Sequence, residues 1–127
     1  MAVLTIYVVE DSPPVRDRIR EMINELADAE LVGEAEGETE AIAGIARTKP
    51  TLVILDINLK EGTGFEVLRQ VKASAPETIV AVVTNFGTAQ FREKCQQLGA
   101  DYFFDKTKSY KLLVELLHQL EQQLHHA

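Results

Sequence analysis

Five polar residues of this sequence lie at or just after short apolar segments, where strands of a sheet would end. They are three carboxylates, one hydroxyl and one ammonium group, namely Glu10, Asp11, Asp56, Thr84 and Lys106. Two carboxylates about 4 Å apart repel each other by roughly 4 kcal/mol at an effective dielectric near 20, so such a cluster needs a compensating positive charge. A divalent cation is the usual compensation. Because the expected ligands are all oxygens, they favour Mg²⁺, with Mn²⁺ as the alternative, over Zn²⁺.

A carboxylate beside such an ion can also act as a nucleophile toward phosphorus and form an aspartyl phosphate. Catalysis then consists mainly of positioning and charge neutralisation. The ion and Lys106 would hold the equatorial oxygens of the phosphoryl group, and Thr84 would donate a hydrogen bond to one of them. The residue types therefore indicate phosphoryl-transfer chemistry.

Alternating apolar and helical segments would position these residues. The apolar segments are rich in Val, Ile and Leu without in/out alternation, which is typical of strands buried on both faces. They span residues 3–9, 31–35, 52–55, 79–83 and 102–104. Five β–α units in series predict a parallel sheet with helices on both faces. Ligands of such sheets bind beyond the carboxyl ends of the strands, so the five polar residues are expected at one edge.

The helical segments predict five helices, near residues 12–26, 38–47, 65–73, 89–98 and 109–124. Ser12 is expected to cap the first helix, and Gly99 is placed to end the fourth. In the last helix an apolar arc of about 160° excludes Leu112 and is wider than one sheet face needs, which indicates leucine exposed to a partner. The arc consists of Tyr110, Leu113, Val114, Leu116, Leu117, Leu120 and Leu124.

Composition limits the class of protein. The chain has 127 residues, of which 46% are hydrophobic and 26% charged, as expected for one globular domain. Its formal net charge of −7 disfavours binding to nucleic acids or anionic membranes. The single Cys95 forms no intramolecular disulfide and is expected to pack as a small apolar residue. With no signal peptide and no membrane span, we expect a cytoplasmic protein.

The order of these features resembles the receiver domain of two-component response regulators over essentially the whole chain. The matching features are the pair Glu10-Asp11, Asp56 after an apolar strand, Gly64, Thr84 within VVT, and Lys106 after an aromatic strand. The resemblance implies a flavodoxin-like, doubly wound α/β fold with a five-stranded parallel sheet in the order 2-1-3-4-5. It also implies that residues 1–127 form a single receiver domain.

The resemblance implies roles for the acidic residues. Asp56 would be the phosphoacceptor. Asp11 and Asp56, together with the backbone carbonyl of Asn58, would ligate Mg²⁺, and Glu10 would act partly through water. The phosphoryl donor would be a sensor histidine kinase or a histidine phosphotransfer protein.

The same resemblance implies that the protein is a switch. Thr84 and Lys106 would sense the phosphoryl group, and Phe103 stands at the position of the family's switch aromatic. The fourth helix, last strand and last helix would form a face for a second copy or an effector. The stretches VGEAEGETEAI and GADYFFDK resemble receivers that often precede a helix-turn-helix output module. Because this chain contains no such module, we expect either a stand-alone receiver or one excised from a longer regulator.

Three positions depart from the family pattern. Lys60 and Thr107 stand where proline is common, and Asn85 follows Thr84 where a small residue is usual. These departures bear on the kinetics and on the shape of the loop, since none of them removes a catalytic group. Residues at the positions of Asn58 and Phe86 often tune the lifetime of the phosphoryl group in similar proteins.

Two other functions compete with this interpretation. A haloacid-dehalogenase-type phosphatase needs Asp-x-Asp, but here the third residue is Asn58, which cannot donate a proton to a leaving group. A flavodoxin-like cofactor binder needs backbone N–H groups after the first strand, where this chain has Glu-Asp-Ser-Pro-Pro. We therefore expect no enzymatic activity beyond self-phosphorylation and autodephosphorylation.

Overall fold

The computed structural model describes residues 3–85, 87–106 and 110–125, and in these residues strands and helices alternate along the chain. The strands are β1 (Leu4–Val9), β2 (Ala29–Ala35), β3 (Leu52–Leu55), β4 (Ile79–Thr84) and β5 (Tyr102–Asp105). The helices are α1 (Pro13–Asn24), α2 (Glu38–Thr48), α3 (Gly64–Ser74), α4 (Ala89–Gln97) and α5 (Tyr110–His125). The predicted start of the last helix at Ser109 lies outside the described residues.

The strands form one parallel sheet in the order β2-β1-β3-β4-β5, which confirms the predicted fold class. The edge strand β2 begins two residues earlier than its apolar run because backbone pairing with β1 already starts at Ala29 opposite Leu4. Pairing between Thr84 and Asp105 likewise carries β4 and β5 to the edge where the polar residues were expected.

The sheet separates two apolar layers, and successive residues of each central strand enter opposite layers. Ile6 and Val8 of β1 face α1 and α5, whereas Tyr7 and Val9 face α2, α3 and α4. The same alternation runs through β3 and β4. Burial on both faces explains why these strands read as continuous apolar runs.

The ends of two helices test the predicted capping residues. Ser12 holds the N-cap position of α1, but its side chain makes no capping hydrogen bond, so that expectation is wrong. The next two residues are prolines without N–H groups, and the backbone N–H of Ser12 donates to Oε2 of Glu10 at 3.1 Å. Gly99 follows α4 with a φ of +100°, as predicted for the residue that ends a helix.

Helix α5 packs its predicted apolar arc against the sheet. Leu113, Leu116, Leu117 and Leu120 are buried, whereas Leu112, which lies outside the arc, is 51% exposed. The surplus width of the arc therefore does not leave a fully exposed leucine within it, because its remaining members are partly buried. None of the helices in the described residues is long and apolar enough to cross a lipid bilayer.

Candidate functional site

Three carboxylates converge at the carboxyl edge of the sheet. Glu10 and Asp11 follow β1 and Asp56 follows β3, and these two strands are neighbours. One carboxylate oxygen of each residue lies within 4.8 Å of the others. Glu10 and Asp56 are buried, and Asp11 is partly exposed. The parallel sheet therefore brings together acidic groups from distant parts of the sequence.

The ammonium group of Lys106 lies between two of these carboxylates. Its Nζ is 2.7 Å from Oε1 of Glu10 and 3.1 Å from Oδ2 of Asp56. The backbone N–H of Lys106 donates to the carbonyl of Thr84 at 2.9 Å, which fixes the lysine at the end of the sheet. Lys106 thus supplies part of the positive charge that was expected from a divalent cation.

Burial and charge shift the titration of this ion pair. Burial, with the negative charge of Asp56 adding to it, raises the pKa of Glu10 to about 7, although the hydrogen bond from Lys106 opposes the rise. For Lys106, burial acts to lower the pKa, but the hydrogen bond to Glu10 and the charge of Asp56 outweigh it, so its pKa is raised. Lys106 therefore carries a positive charge at neutral pH.

The remaining predicted site residues surround this cluster. Thr84 is buried at the end of β4. The backbone N–H of Asn58 faces Oδ1 of Asp56 at 3.4 Å, so the loop after β3 turns back over the acidic residue. Phe103 of β5 is partly buried, with the guanidinium of Arg92 4.8 Å from its ring centre. Of the family departures, Asn85 is exposed, whereas Thr107 lies outside the described residues, as does Phe86.

Two glycines shape the loop after β3. The N–H of Gly64 donates to the carbonyl of Ile57 at 2.8 Å, and a Cβ on Gly64 would lie 2.7 Å from the Cα of Ile57 and collide with the carbonyl of Asp56. Gly62 has a φ of +73°, which L-residues with side chains rarely adopt. Gly64 thus allows α3 to start directly over the backbone of the acidic residue.

Sequence reasoning missed the role of Arg16 beside the acidic cluster. Its Nη1 donates to the backbone carbonyl of Glu10 at 3.1 Å and to Oε1 of Glu36 at 2.7 Å. The hydrogen bond from Arg16 to the carboxylate of Glu36 lowers the pKa of Glu36. The available signal was an arginine one helical turn after Ser12 together with a glutamate after the neighbouring strand β2, but side-chain pairing of this kind has no fixed sequence spacing.

The donor set fits magnesium. The carboxylates of Glu10, Asp11 and Asp56 offer only hard oxygen ligands, and Mg²⁺ is typically bound through one or two carboxylates plus oxygens of a phosphorylated group. The partly exposed Asp11 leaves an approach from solvent. These residues can therefore hold the ion predicted from the sequence.

A groove of about 550 Å³ lies at the opposite, amino-terminal edge of the sheet, between the ends of α2 and α3. Its lining includes Ile42, Ile45, Pro50 and Val71. The polar groups of the carboxyl edge do not reach it. The groove is therefore separate from the acidic cluster.

Comparison with known proteins identifies similar chains. The family model described as "Response regulator receiver domain" matches residues 6–118. A putative transcriptional regulator of Pseudomonas aeruginosa is 35% identical over 112 residues, covering 88% of this chain and 52% of the relative. Response regulator protein VraR of Staphylococcus aureus is 30% identical over 108 residues, covering 85% of this chain and 52% of the relative.

The chain thus spans about half the length of these curated relatives. Among solved structures, a DNA-binding response regulator of the LuxR family from Staphylococcus aureus superposes with a TM-score of 0.84 at 26% identity. That superposition covers 94% of this chain and 99% of the other.

Proposed function

Because the chain belongs to the response regulator receiver domain family, we propose that Asp56 accepts a phosphoryl group from a phosphohistidine in a Mg²⁺-dependent reaction. The proposed donor is a sensor histidine kinase or a histidine phosphotransfer protein. The observation that carries this proposal is the convergence of three carboxylates and the ammonium group of Lys106 at the end of β3.

The transfer is a displacement at phosphorus. A carboxylate oxygen of Asp56 attacks the phosphorus atom, the new O–P bond forms, and the N–P bond of the phosphohistidine breaks. The electron pair of the broken bond stays with the imidazole. The donor supplies the high-energy phosphoryl group, and the receiver supplies the nucleophile and the surrounding charges.

The acidic cluster is the proposed metal site. Asp11 and Asp56, with the backbone carbonyl of Asn58 and with Glu10 acting partly through water, would hold Mg²⁺. When bound, the ion neutralises charge on the phosphoryl oxygens and orients them for in-line attack. The mutual distances of at most 4.8 Å between one oxygen of each carboxylate support this assignment.

Lys106 and Thr84 are the proposed sensors of phosphorylation. The ammonium group of Lys106 already contacts Asp56 at 3.1 Å and would follow the negative charge onto a phosphoryl oxygen. Thr84 would donate its hydroxyl hydrogen to another oxygen, and Phe103 would respond to that movement. Phosphorylation would thereby shift the balance between two conformations.

The same proposal covers the partners and the extent of the domain. Residues 1–127 would form one receiver domain, located in the cytoplasm, without turnover of an external substrate. A second copy or an effector would dock on the face of α4, β5 and α5, where Tyr102 is 38% exposed and Leu112 is 51% exposed. The acidic net charge of −7 disfavours direct contact of this chain with nucleic acid.

Loading with beryllofluoride tests the proposed phosphoacceptor. In the presence of Mg²⁺, one phosphoryl-mimicking group per chain should bind to the wild type, and Asp56→Asn should abolish binding because the substituted amide cannot act as the oxyanion nucleophile. Lys106→Ala serves as the comparison, since it should still load but should lose the chemical-shift changes around Phe103. Loading that survives Asp56→Asn would refute the assignment.

A further inference from the structure

Two loops beside the acidic cluster are joined by hydrogen bonds. The segment at residues 36–39, which leads into α2, and the segment at residues 60–63, which leads into α3, exchange backbone bonds. The N–H of Glu38 donates to the carbonyl of Glu61 at 2.8 Å, and the N–H of Lys60 donates to the carbonyl of Glu36 at 3.1 Å. We call this set of contacts the loop bridge. Proline at position 60 could not make the second bond.

Side chains make the loop bridge reciprocal. Oε1 of Glu61 accepts from the N–H of Thr39 at 3.1 Å, and its Oε2 accepts from the hydroxyl of Thr39 at 3.2 Å. In return, Oε1 of Glu38 accepts from the N–H of Thr63 at 2.9 Å. The N-cap of α2 is Gly37, which has no side chain to accept an N–H group of the first turn. Glu61 therefore accepts the N–H of Thr39 from the other loop.

The bridged loop is the one that carries Asn58. Asn58 pairs with Thr63 in an isolated antiparallel bridge, and its N–H faces Oδ1 of Asp56. Contacts therefore run from Glu38 through Thr63 to Asn58 and on to the acidic residue. Although the segment at 60–63 is exposed, it is held in place at both of its ends.

We propose that Glu61 is a positioning residue, whose bonds across the loop bridge hold the loop after β3 in the shape that presents Asn58 to Mg²⁺. This inference rests on the proposed function, because it assumes a metal at the acidic cluster. Mg²⁺ demands near-ideal octahedral geometry. A loop ordered before binding loses less conformational freedom when the ion binds, so the intact bridge favours affinity.

Binding of Mg²⁺ alone, followed by calorimetry or by amide chemical shifts, tests this inference. Glu61→Ala removes the acceptor, and we expect Mg²⁺ to bind about threefold to tenfold more weakly, the range that corresponds to losing one hydrogen bond of ordinary net strength. Glu61→Gln removes the same charge but keeps an acceptor oxygen, so its affinity should stay within about twofold of the wild type. Glu40→Ala removes an exposed carboxylate from the first turn of α2, next to Thr39, and is the surface control.

Two further readouts separate positioning from a loss of stability. Amide hydrogen exchange at residues 38, 39, 60 and 63 should accelerate in Glu61→Ala, whereas exchange in the central strands should not. At saturating Mg²⁺, beryllofluoride should load Glu61→Ala as fully as the wild type. Weaker Mg²⁺ binding with faster exchange confined to the loop bridge is what a positioning residue predicts, whereas a general loss of stability would also accelerate exchange in the central strands.

The possible outcomes are distinguishable. Wild-type affinity in Glu61→Ala, with normal loading of the wild type, would overturn the positioning role and leave the proposed function intact. Equal weakening in Glu61→Gln and Glu61→Ala would assign the effect to lost charge and would also overturn it. A wild type that neither binds Mg²⁺ nor loads beryllofluoride would refute the proposed function itself.

Discussion

Helices α3 and α4 follow neighbouring strands at the same edge of the sheet, yet they are held very differently. Helix α3 buries Val67, Leu68 and Val71 and is preceded by the loop bridge. Helix α4 buries only Cys95. Displacing α4 therefore removes far less apolar surface from the core than displacing α3.

Cations over aromatic rings supplement the weak burial of α4. The guanidinium of Arg92 lies over Phe103 of β5, and Nζ of Lys94 lies 4.2 Å from the ring centre of Phe65 in α3. Such contacts at exposed sites contribute about 0.5–1 kcal/mol each. Helix α3, on the β3 side of the site, is therefore anchored by more buried apolar surface than α4. Moving α4, on the β4 side, costs less free energy.

Truncating one core residue in each helix is the largest test of this contrast. Leu68→Ala should lower the free energy of unfolding by about 2–5 kcal/mol, because it leaves a cavity in a fully buried layer. Cys95→Ala should lower it by only about 1 kcal/mol, since little more than a sulfur atom is removed. Urea unfolding followed by circular dichroism measures both values, and equal losses would contradict the contrast.

Alkylation of the single cysteine tests movement of α4 directly. Burial raises the pKa of Cys95 from 9.0 to about 11. At pH 8 this leaves about a hundredfold less thiolate than an unshifted thiol would have, so the folded protein should react slowly with an alkylating reagent. The rate should keep rising with pH between 7 and 9, because the thiol is still mostly protonated throughout that window. If phosphorylation displaces α4, beryllofluoride should speed alkylation about threefold or more.

The matching control for alkylation is Asp56→Asn, in which beryllofluoride should have no effect. Mass spectrometry of the alkylated chain gives the rate without ambiguity, since the sequence contains one cysteine. An unchanged rate in the loaded wild type would mean that α4 keeps its position around Cys95.

Removing the cation over Phe103 is the smallest expected effect. Arg92→Leu should change the free energy of unfolding by no more than about 1 kcal/mol, while amide exchange within α4 should accelerate. Arg47→Leu, at an exposed arginine of α2, is the control and should leave α4 unchanged. Faster exchange in α3 as well would argue against independent anchoring of the two helices.

Much of this architecture could be predicted from the sequence because it depends on local pattern. Strands buried on both faces give continuous apolar runs, and parallel strands place Asp11, Asp56 and Lys106 at one edge whatever the side chains do elsewhere. The strand order came from the family resemblance. The predicted boundaries of β2 and β5 were less accurate, because the backbone pairing of these edge strands extends beyond their apolar residues.

The contacts between loops could not be predicted in the same way. Whether Glu61 reaches Thr39, or whether Lys106 prefers Glu10 to solvent, depends on distances between segments that no periodicity encodes. Ser12 illustrates the reverse error, since a favourable residue at an N-cap position makes no capping hydrogen bond there. Local propensity identifies candidates, and tertiary placement decides which of them act.

The ion pair between Glu10 and Lys106 joins residues from distant parts of the sequence, and it requires β1, β3, β4 and β5 to be paired in register. On a nascent or partly unfolded polypeptide, Asp56 would be an ordinary hydrated carboxylate with neither neighbour present. The charged surroundings of the proposed phosphoacceptor therefore exist only when these strands are paired, and an incompletely folded copy lacks them.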